Sequence, residues 1–406
     1  MMNRTLLTIV TTFATALSLA SNGYSQQPEK TVLVHYMPWY ASKPFSGDWG
    51  WHWTMDHFNP DTVKPNGQRE VASHDYPLID LYDSNDPDVL ECHVLLMKLA
   101  GIDGVIIDWY GIEKFRDYAD IHRNSMHLVK HVKKAGLQFA ICYEDQTIKH
   151  MIEEKVLTEQ GDVAHGQIVL KWLAENWFAD EAYVKINGRP LLLVFGPQYF
   201  KKEQWGQVTA GLQDRPLLYA LPHLSEQMEM DGAFGWPPVT GGAEMFPKEW
   251  RHYLTSLYAR PNVRDSVASS AFPGFRDIYK QAQLHDSYGS IDARNGETFA
   301  ETFDLAQKSN SQIIQIATWN DYGEGTVIEP TKESEYGYLK YVQKNAKAQL
   351  PYGPNDLRLP VMLYQLKKRY AENPERMKRL QRATDLLFAG KCTEAEAAMD
   401  AANKGD

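Results

Sequence analysis

The sequence predicts an α/β fold, namely a (β/α)8 TIM barrel with long loops at the C-terminal ends of its strands and a helical appendage at the C-terminus. Eight β-like apolar runs occur along the chain, and helix-like segments separate many of them. Several runs are continuously apolar rather than alternating, which is typical of strands covered on both faces. Eight strands with intervening helices in about 300 residues favour a closed barrel; a doubly wound open sheet is the alternative.

The apolar runs define the predicted strands, which in chain order are Thr31–Met37, Gly104–Tyr110, Leu137–Glu144, Pro190–Phe195, Pro216–Leu221, Gly232–Trp236, Asp265–Ala271 and Gln312–Trp319. Helical periodicity predicts the segments between them. These helices are Asp86–Ala100, Tyr118–Ala135, Gly166–Phe178, Glu203–Gln213, Pro247–Arg260 and Thr298–Lys308. Asp86 or Asp88 is suited to cap the first helix.

Three segments are longer than a simple strand-to-helix connection requires. They follow the first, third and sixth predicted strands, at Tyr40–Ser84, Thr147–Gly161 and Trp236–Phe246. In a barrel all three would lie on the face that carries the C-terminal strand ends, where barrel enzymes keep their active sites. Long loops on that face predict a substrate cleft.

The chain divides into three predicted parts: a signal peptide at residues 1–25, a catalytic barrel at 26–349 and a helical extension at 350–406. In the extension, amphipathic patterns predict helices at Leu357–Tyr370, Pro374–Phe388 and Thr393–Lys404. We expect them to pack on the barrel, and a partner-binding module is the alternative. The sequence leaves the oligomeric state open, with a monomer as the working expectation.

The N-terminus predicts export from the cytoplasm. Arg4 supplies a short positive region, and Thr5–Ala20 is apolar and small, which is typical of a cleavable signal peptide. We therefore expect a secreted or periplasmic protein with no integral membrane span after cleavage; an uncleaved anchor is the alternative. The three cysteines, Cys92, Cys142 and Cys392, have no metal-site spacing, and their odd number argues against a disulfide framework in an exported chain.

Charge and composition exclude some classes of partner. The formal net charge is −10 at pH 7, whereas nucleic-acid binders are more often basic. The acidity also fits poorly with adsorption to an anionic membrane surface. We therefore expect no nucleic-acid partner.

Carboxylates and aromatic rings gather at the ends of the predicted strands. Asp108 ends the second strand, Glu144 follows the third, and Asp321 and Glu324 follow the eighth. Glycoside hydrolysis needs two carboxyl groups, one to protonate the leaving oxygen and one to act as base or nucleophile. Asp321 and Glu324 are the candidate catalytic pair, and Gly323 and Gly325 would allow the tight turns that aim both acids into one cleft.

The remaining strand-end residues are candidates for substrate binding. They are His35, Tyr36, Trp39, Tyr40, Asp108, Trp109, Tyr143, Glu144, Glu244, Trp319, Asn320 and Tyr322. Aromatic rings would stack on sugar faces, and Asp108 and Glu144 would orient the sugar or tune the pKa values of the catalytic pair. Asp108 and Glu144 taken singly could instead be structural, as helix caps or as hydrogen-bonding residues of the barrel.

Other catalytic chemistries lack a sequence signature. No His-Glu-x-x-His helix and no Gly-x-Ser-x-Gly elbow occur, and His127 and His131 on one predicted helix are better explained as solvated residues. No glycine-rich phosphate loop opens a helix. We expect no metal and no cofactor.

Several motifs are similar to known families. The chain resembles glycoside hydrolase families 99 and 71, and the bacterial proteins related to both, from roughly Val32 to Tyr338. The matching segments are His35-Tyr36-Met37-Pro38-Trp39-Tyr40, Ser73-His74-Asp75-Tyr76-Pro77 with Tyr82-Asp83-Ser84, Ala100-Gly101-Ile102-Asp103-Gly104-Val105 with Asp108-Trp109-Tyr110-Gly111, Pro273-Gly274-Phe275 and Trp319–Thr326.

The two resemblances imply different chemistries. Family 99 implies a barrel that cleaves internal α-mannosidic bonds with retention, and its motif is Asn-Glu-Trp-His-Glu-Gly-Thr. Glu324 matches its proposed general acid. Asp321 stands where that family has a Glu proposed to deprotonate the sugar 2-hydroxyl. Family 71 implies inverting cleavage of α-1,3-glucan, and its pattern is similar to Trp319–Glu324.

We expect a hydrolase that cuts an α-linked glycan, of α-mannan or α-glucan type, at internal bonds outside the cytoplasm. Its partner would be a polysaccharide or oligosaccharide. Two other classes remain open at this point: a catalytically inactive carbohydrate-binding protein on a hydrolase scaffold, and a surface-polysaccharide biosynthesis protein. The Asp321 and Glu324 pair argues against the first, and the predicted signal peptide against the second.

Overall fold

The computed structural model describes residues 29–404. The predicted signal peptide lies outside these described residues. Among them, no helix combines the length and the apolar character that a membrane crossing requires.

Eight parallel strands close into a barrel, as the sequence predicts. The strands are β1 (Thr31–Tyr36), β2 (Gly104–Trp109), β3 (Gln138–Tyr143), β4 (Arg189–Val194), β5 (Leu217–Ala220), β6 (Gly232–Phe234), β7 (Val267–Ala271) and β8 (Ile313–Ile316). Each strand pairs in parallel with its neighbours in chain order. The barrel is closed by β8 against β1, with Thr31 opposite Ile313.

A helix follows each strand on the outside of the barrel. These helices are α1 (Pro87–Ala100), α2 (Tyr118–Lys134), α3 (Asp162–Leu173), α4 (Lys202–Thr209), α5 (Pro222–Ser225), α6 (Pro247–Tyr258), α7 (Glu297–Lys308) and α8 (Gly337–Asn345). The first is capped as expected, because the Asp86 side chain accepts from the Asp88 backbone N–H at 3.0 Å. The single-turn α5 and the short α8 are absent from the sequence prediction, since neither carries a long apolar period.

The connections between strands and helices contain further short elements on both faces of the barrel. Helical turns occur at Lys43–Ser46, Trp51–Thr54, Gln146–Glu153, Glu159–Gly161, Val263–Ser266 and Arg294–Gly296, and α3 continues into a π-helical turn at Ala174–Phe178. Phe275–Arg276 and Ser290–Ile291 form a small antiparallel pair after β7. Lys185–Ile186 pairs with the start of β4.

The continuous apolar runs arise because both faces of each strand are buried. Side chains such as Leu33, Ile106 and Cys142 fill the barrel interior. Their neighbours in sequence, such as Val34 and Ile107, pack outward against the helices. All three cysteines are buried and unpaired.

Three helices complete the chain as the predicted appendage: α9 (Arg358–Arg369), α10 (Pro374–Phe388) and α11 (Cys392–Lys404). A buried ion pair joins them to the barrel layer, since Lys367 Nζ on α9 lies 2.6 Å from Glu91 Oε1 on α1. Thr384 on α10 donates to the same carboxylate oxygen at 3.1 Å. The appendage is therefore packed on the barrel.

We expect Glu91→Ala to destabilise the protein by about 3 kcal/mol, because it leaves the buried Lys367 ammonium without its main partner. Urea denaturation measures this free energy of unfolding. Glu153→Ala is the control, since Glu153 and Lys149 form an exposed pair at 3.8 Å; it should cost under about 0.5 kcal/mol. Equal losses in the two variants would contradict a role for the buried pair in docking the appendage.

Candidate active site

A cleft of about 620 Å³ opens at the C-terminal ends of the strands. Four carboxylate side chains line it, from Asp108 on β2, Glu144 just after β3, and Asp321 and Glu324 in the loop after β8. The alternation of side chains along a strand explains the first two. Asp108 and Glu144 continue the inward-facing rows of Ile106 and Cys142. The structure thus brings together the four acids singled out in the sequence.

The loop after β8 holds its two acids through short backbone contacts. The Asp321 backbone N–H donates to Thr318 Oγ1 at 2.8 Å, and Asp321 Oδ1 accepts from the Glu324 backbone N–H at 3.0 Å. Gly325 has a φ of +64°, and a Cβ there would lie 2.7 Å from the Arg276 carbonyl oxygen. Glycine is therefore required at 325 both for the turn and for the close approach.

Asn320 fixes this loop to the end of β1. Its side-chain oxygen accepts from the Met37 backbone N–H at 2.8 Å, and its side-chain nitrogen donates to the Met37 carbonyl at 3.0 Å. The Tyr40 hydroxyl donates to the Asn320 carbonyl at 2.8 Å and accepts from the Tyr322 N–H at 3.1 Å. Both residues, expected to bind substrate, therefore position the loop that carries the acids.

Neighbouring side chains orient two of the four carboxylates. Trp236 Nε1 donates to Glu324 Oε2 at 3.2 Å. Gln146 and Gln198 donate to Glu144 Oε2 at 2.8 and 3.2 Å. Sequence reasoning missed all three donors. Gln146 is only two residues from its acceptor, whereas Gln198 and Trp236 are distant in sequence and only the closed barrel brings them to the acids.

Burial raises the pKa values of all four acids. Desolvation raises the pKa of Asp321 to about 6, and N–H bonds from Glu324 and Gly323 oppose that rise. Desolvation, with the Asp321 charge beside it, raises the pKa of Glu324 well above its usual range. Burial also raises the pKa values of Asp108 and Glu144, with added repulsion from Asp321 and Asp108 respectively. Asp321 therefore gives up its proton more readily than Glu324 does.

Aromatic side chains form much of the cleft wall. Trp39, predicted from the sequence, is among them. The others come from several loops and from α6, and they lie outside the predicted binding set: Tyr110, Phe195, Trp236, Tyr253, Phe275, Tyr279 and Tyr288. Tyr279 and Tyr288 lie in a polar stretch with no apolar period, so local sequence offers no signal for them.

Five aromatic residues of the predicted binding set lie behind the cleft rather than in its wall. Their side chains are fully buried: Tyr36, Trp109, Tyr143, Trp319 and Tyr322. The first three are on the outward rows of their strands; Trp109, for example, stacks on Trp172 with ring centroids 5.8 Å apart. Direct contact with sugar, expected from the sequence, does not fit these positions.

His35 and Glu244 also lie away from the cleft wall. The His35 ring is buried beneath Trp236, with ring centroids 5.0 Å apart, and burial lowers its pKa to about 3. Glu244 pairs through its backbone with Ser290 and lines a separate cavity on the far side of Phe275. Within residues 29–404, no group of three or more His, Cys, Asp or Glu side chains is arranged to hold a metal ion.

A barrel with paired carboxylates in its cleft is suited to the hydrolysis of glycosidic bonds. Comparison with known proteins supports this enzyme class. Residues 28–216 match the family model described as glycosyl hydrolase family 99, and residues 224–348 match a domain of unknown function, DUF5010. Glycoprotein endo-alpha-1,2-mannosidase of Rattus norvegicus is 32% identical over 347 residues, covering 77% of this chain and 72% of the relative. The chain belongs to glycosyl hydrolase family 99 and is a glycoside hydrolase.

Further relatives are more distant. The Mus musculus glycoprotein endo-alpha-1,2-mannosidase is 23% identical over 77% of this chain and 72% of its own. A solved GH99 endo-alpha-mannosidase from Bacteroides thetaiotaomicron superposes with a TM-score of 0.55 at 19% identity, covering 78% of this chain and 95% of that one. This structural likeness supports the fold.

Proposed function

We propose that this enzyme cleaves α-mannan-type glycans at internal bonds, with Glu324 as general acid and Asp321 as general base. The observation that carries the proposal is the pair of unequal acids in one cleft. The pKa of Asp321 is about 6, and that of Glu324 is raised well above its usual range. The names of the relatives, endo-alpha-1,2-mannosidases, support the choice of substrate.

Each acid has one step of proton transfer. Protonated Glu324 gives its proton to the glycosidic oxygen as the bond from that oxygen to the anomeric carbon breaks. Ionised Asp321 takes a proton from the attacking oxygen, which forms the new bond to the anomeric carbon. Trp236 holds the Glu324 carboxyl from one side, and Asp108 and Glu144 are suited to bind sugar hydroxyls.

The attacking oxygen has two possible sources. Attack by water gives inversion. Attack by the sugar 2-hydroxyl forms a 1,2-anhydro sugar, and its opening by water gives net retention. Membership of family 99 supports this route. Asp321 is one methylene shorter than the Glu of the family 99 motif. Proton NMR of the first anomer released distinguishes the two routes.

The proposal includes a location outside the cytoplasm, supported by Arg4 and the apolar segment Thr5–Ala20. Expression of the full chain followed by cell fractionation tests it. The expected result is activity outside the cytoplasm, with a mature N-terminus near residue 26. Retention in the cytoplasm with an intact N-terminus would contradict it.

A polysaccharide panel tests the substrate. α-Mannans and α-1,3-glucans are incubated with the wild type, and the products are separated by size. We expect oligosaccharides from α-mannan early in the reaction, because internal cuts shorten chains before monosaccharide accumulates. Early release of monosaccharide alone would contradict internal cleavage. Release of oligosaccharides from α-1,3-glucan alone would show that glucan, and not mannan, is the substrate.

Trp236→Phe should move the basic limb of the pH profile of kcat/KM to higher pH. The indole N–H stabilises ionised Glu324, so its loss raises the pKa of Glu324 further and the acid stays protonated longer. The control is Trp49→Phe, which removes a similar bond, at 3.0 Å, to the surface carboxylate of Asp61. A basic limb that does not move in Trp236→Phe would count against Glu324 as the acid.

A further inference from the structure

A second chamber of about 720 Å³ adjoins the active-site cleft. It lies between the loop after β1 and the segments that follow β2 and β3. Trp39, Tyr110 and Gln146 line both spaces. Gln146 also donates to Glu144 Oε2 at 2.8 Å, so this shared wall is in direct contact with one of the four acids.

Aromatic rings and polar groups both line the chamber. The Trp51 side chain is exposed at its rim, with 41% of its surface accessible. Tyr118 stacks on Tyr110 with ring centroids 4.8 Å apart, and His52 stacks on Trp39 at 4.3 Å. Each stack covers one face of each of its rings, whereas the Trp51 ring is accessible. An accessible ring combined with hydrogen-bonding side chains suits a ligand that has both apolar C–H faces and hydroxyl groups.

The two arginines of the chamber already have carboxylate partners, since Arg116 lies 2.6 Å from Glu154 and Arg123 lies 2.6 Å from Asp120. Burial lowers the pKa of His52, which lies 3.3 Å from Asp117. An anionic ligand would have to compete with a carboxylate for each of the two arginines. The charge arrangement therefore favours a neutral ligand over a phosphorylated or carboxylated one.

We propose that this chamber binds further neutral sugar units of the same glycan chain that occupies the cleft. The proposal rests on the proposed function. The shared wall of Trp39, Tyr110 and Gln146 lets one chain continue from the cleft into the chamber. Trp51 would stack on a sugar ring at the outer end, so that long substrates gain a contact that short ones lack.

A size series of neutral α-manno-oligosaccharides, from the disaccharide upward, tests the proposal with Trp51→Ala. We expect KM for the longest members to rise about tenfold, from the loss of one buried ring contact, with kcat unchanged. The shortest cleaved member should show unchanged kcat and KM. Phe45→Ala is the matched control, because Phe45 is an exposed aromatic residue of the same loop that lies outside the chamber lining.

Each outcome bears on the chamber separately from the catalytic role of the cleft. Unchanged kinetics of Trp51→Ala on long substrates would overturn the proposal, as would an equal loss on short and long ones. Tighter binding of phosphorylated than of neutral oligosaccharides would overturn the neutral ligand. Cleavage of the shortest oligosaccharide by wild type tests only the proposed function. If wild type cleaved neither that oligosaccharide nor long α-mannan, the proposed function itself would be wrong.

Discussion

Glu324→Gln is expected to lower kcat for glycan hydrolysis by about a hundred- to ten-thousand-fold, the usual contribution of a general acid. The amide has nearly the shape of the carboxyl group, and its oxygen can still accept the Trp236 N–H bond of 3.2 Å. It cannot give a proton to the leaving oxygen. The fold and the affinity for substrate should therefore survive while turnover is lost.

The leaving group provides a direct check on this role. An activated aryl or fluoride leaving group needs little protonation, so the loss in Glu324→Gln should be much smaller on such a substrate than on α-mannan. Glu244→Gln is the control, because Glu244 lies outside the cleft lining. Equal losses on activated and natural substrates would show that Glu324 acts in some way other than proton donation.

Asp321→Asn is expected to abolish most activity and, at the same time, to stabilise the protein above pH 6. The folded-state pKa of Asp321 is raised from 3.8 to about 6, so ionisation above that pH works against folding. An amide removes that cost, and the gain should be about 1–3 kcal/mol at neutral pH. The gain should shrink as pH falls and vanish below the unfolded pKa near 4.

Two measurements check this prediction. Urea denaturation at several pH values gives the difference in free energy of unfolding, and the pH profile of wild-type kcat/KM should fall on its acidic side near pH 6, because the base must be ionised. Asp286→Asn is the control, since the Asp286 side chain is 91% exposed. A variant less stable than wild type at pH 8, or a profile flat through pH 6, would contradict the raised pKa.

The strands were predictable because the barrel buries both of their faces. A run such as Gly104–Tyr110 is apolar at nearly every position, and the structure has β2 at Gly104–Trp109. The short α5 and α8 were not predictable in the same way, since four- and nine-residue helices have little room for a helical period. Their positions are set by packing against the barrel.

The acids of the site were predictable from strand ends, but the binding residues were only partly so. A strand end delivers side chains alternately inward and outward. For that reason Asp108 faces the cleft and Trp109 faces the helices, although the sequence made both of them candidates for substrate binding. The inward rows of Leu33, Ile106 and Cys142 carry the signal that separates them. Trp236, Tyr279 and Tyr288 come from irregular loops, and only the tertiary structure brings them to the cleft.

The most direct test of the proposed catalysis is a digestion of α-mannan followed by proton NMR, with wild type, Glu324→Gln and Glu244→Gln in parallel. The expected result is α-manno-oligosaccharides from wild type and Glu244→Gln, and almost none from Glu324→Gln. Equal product release by wild type and Glu324→Gln would contradict the assignment of the catalytic acid. No release by folded wild type, while it still binds the glycan, would contradict hydrolysis of α-mannan itself.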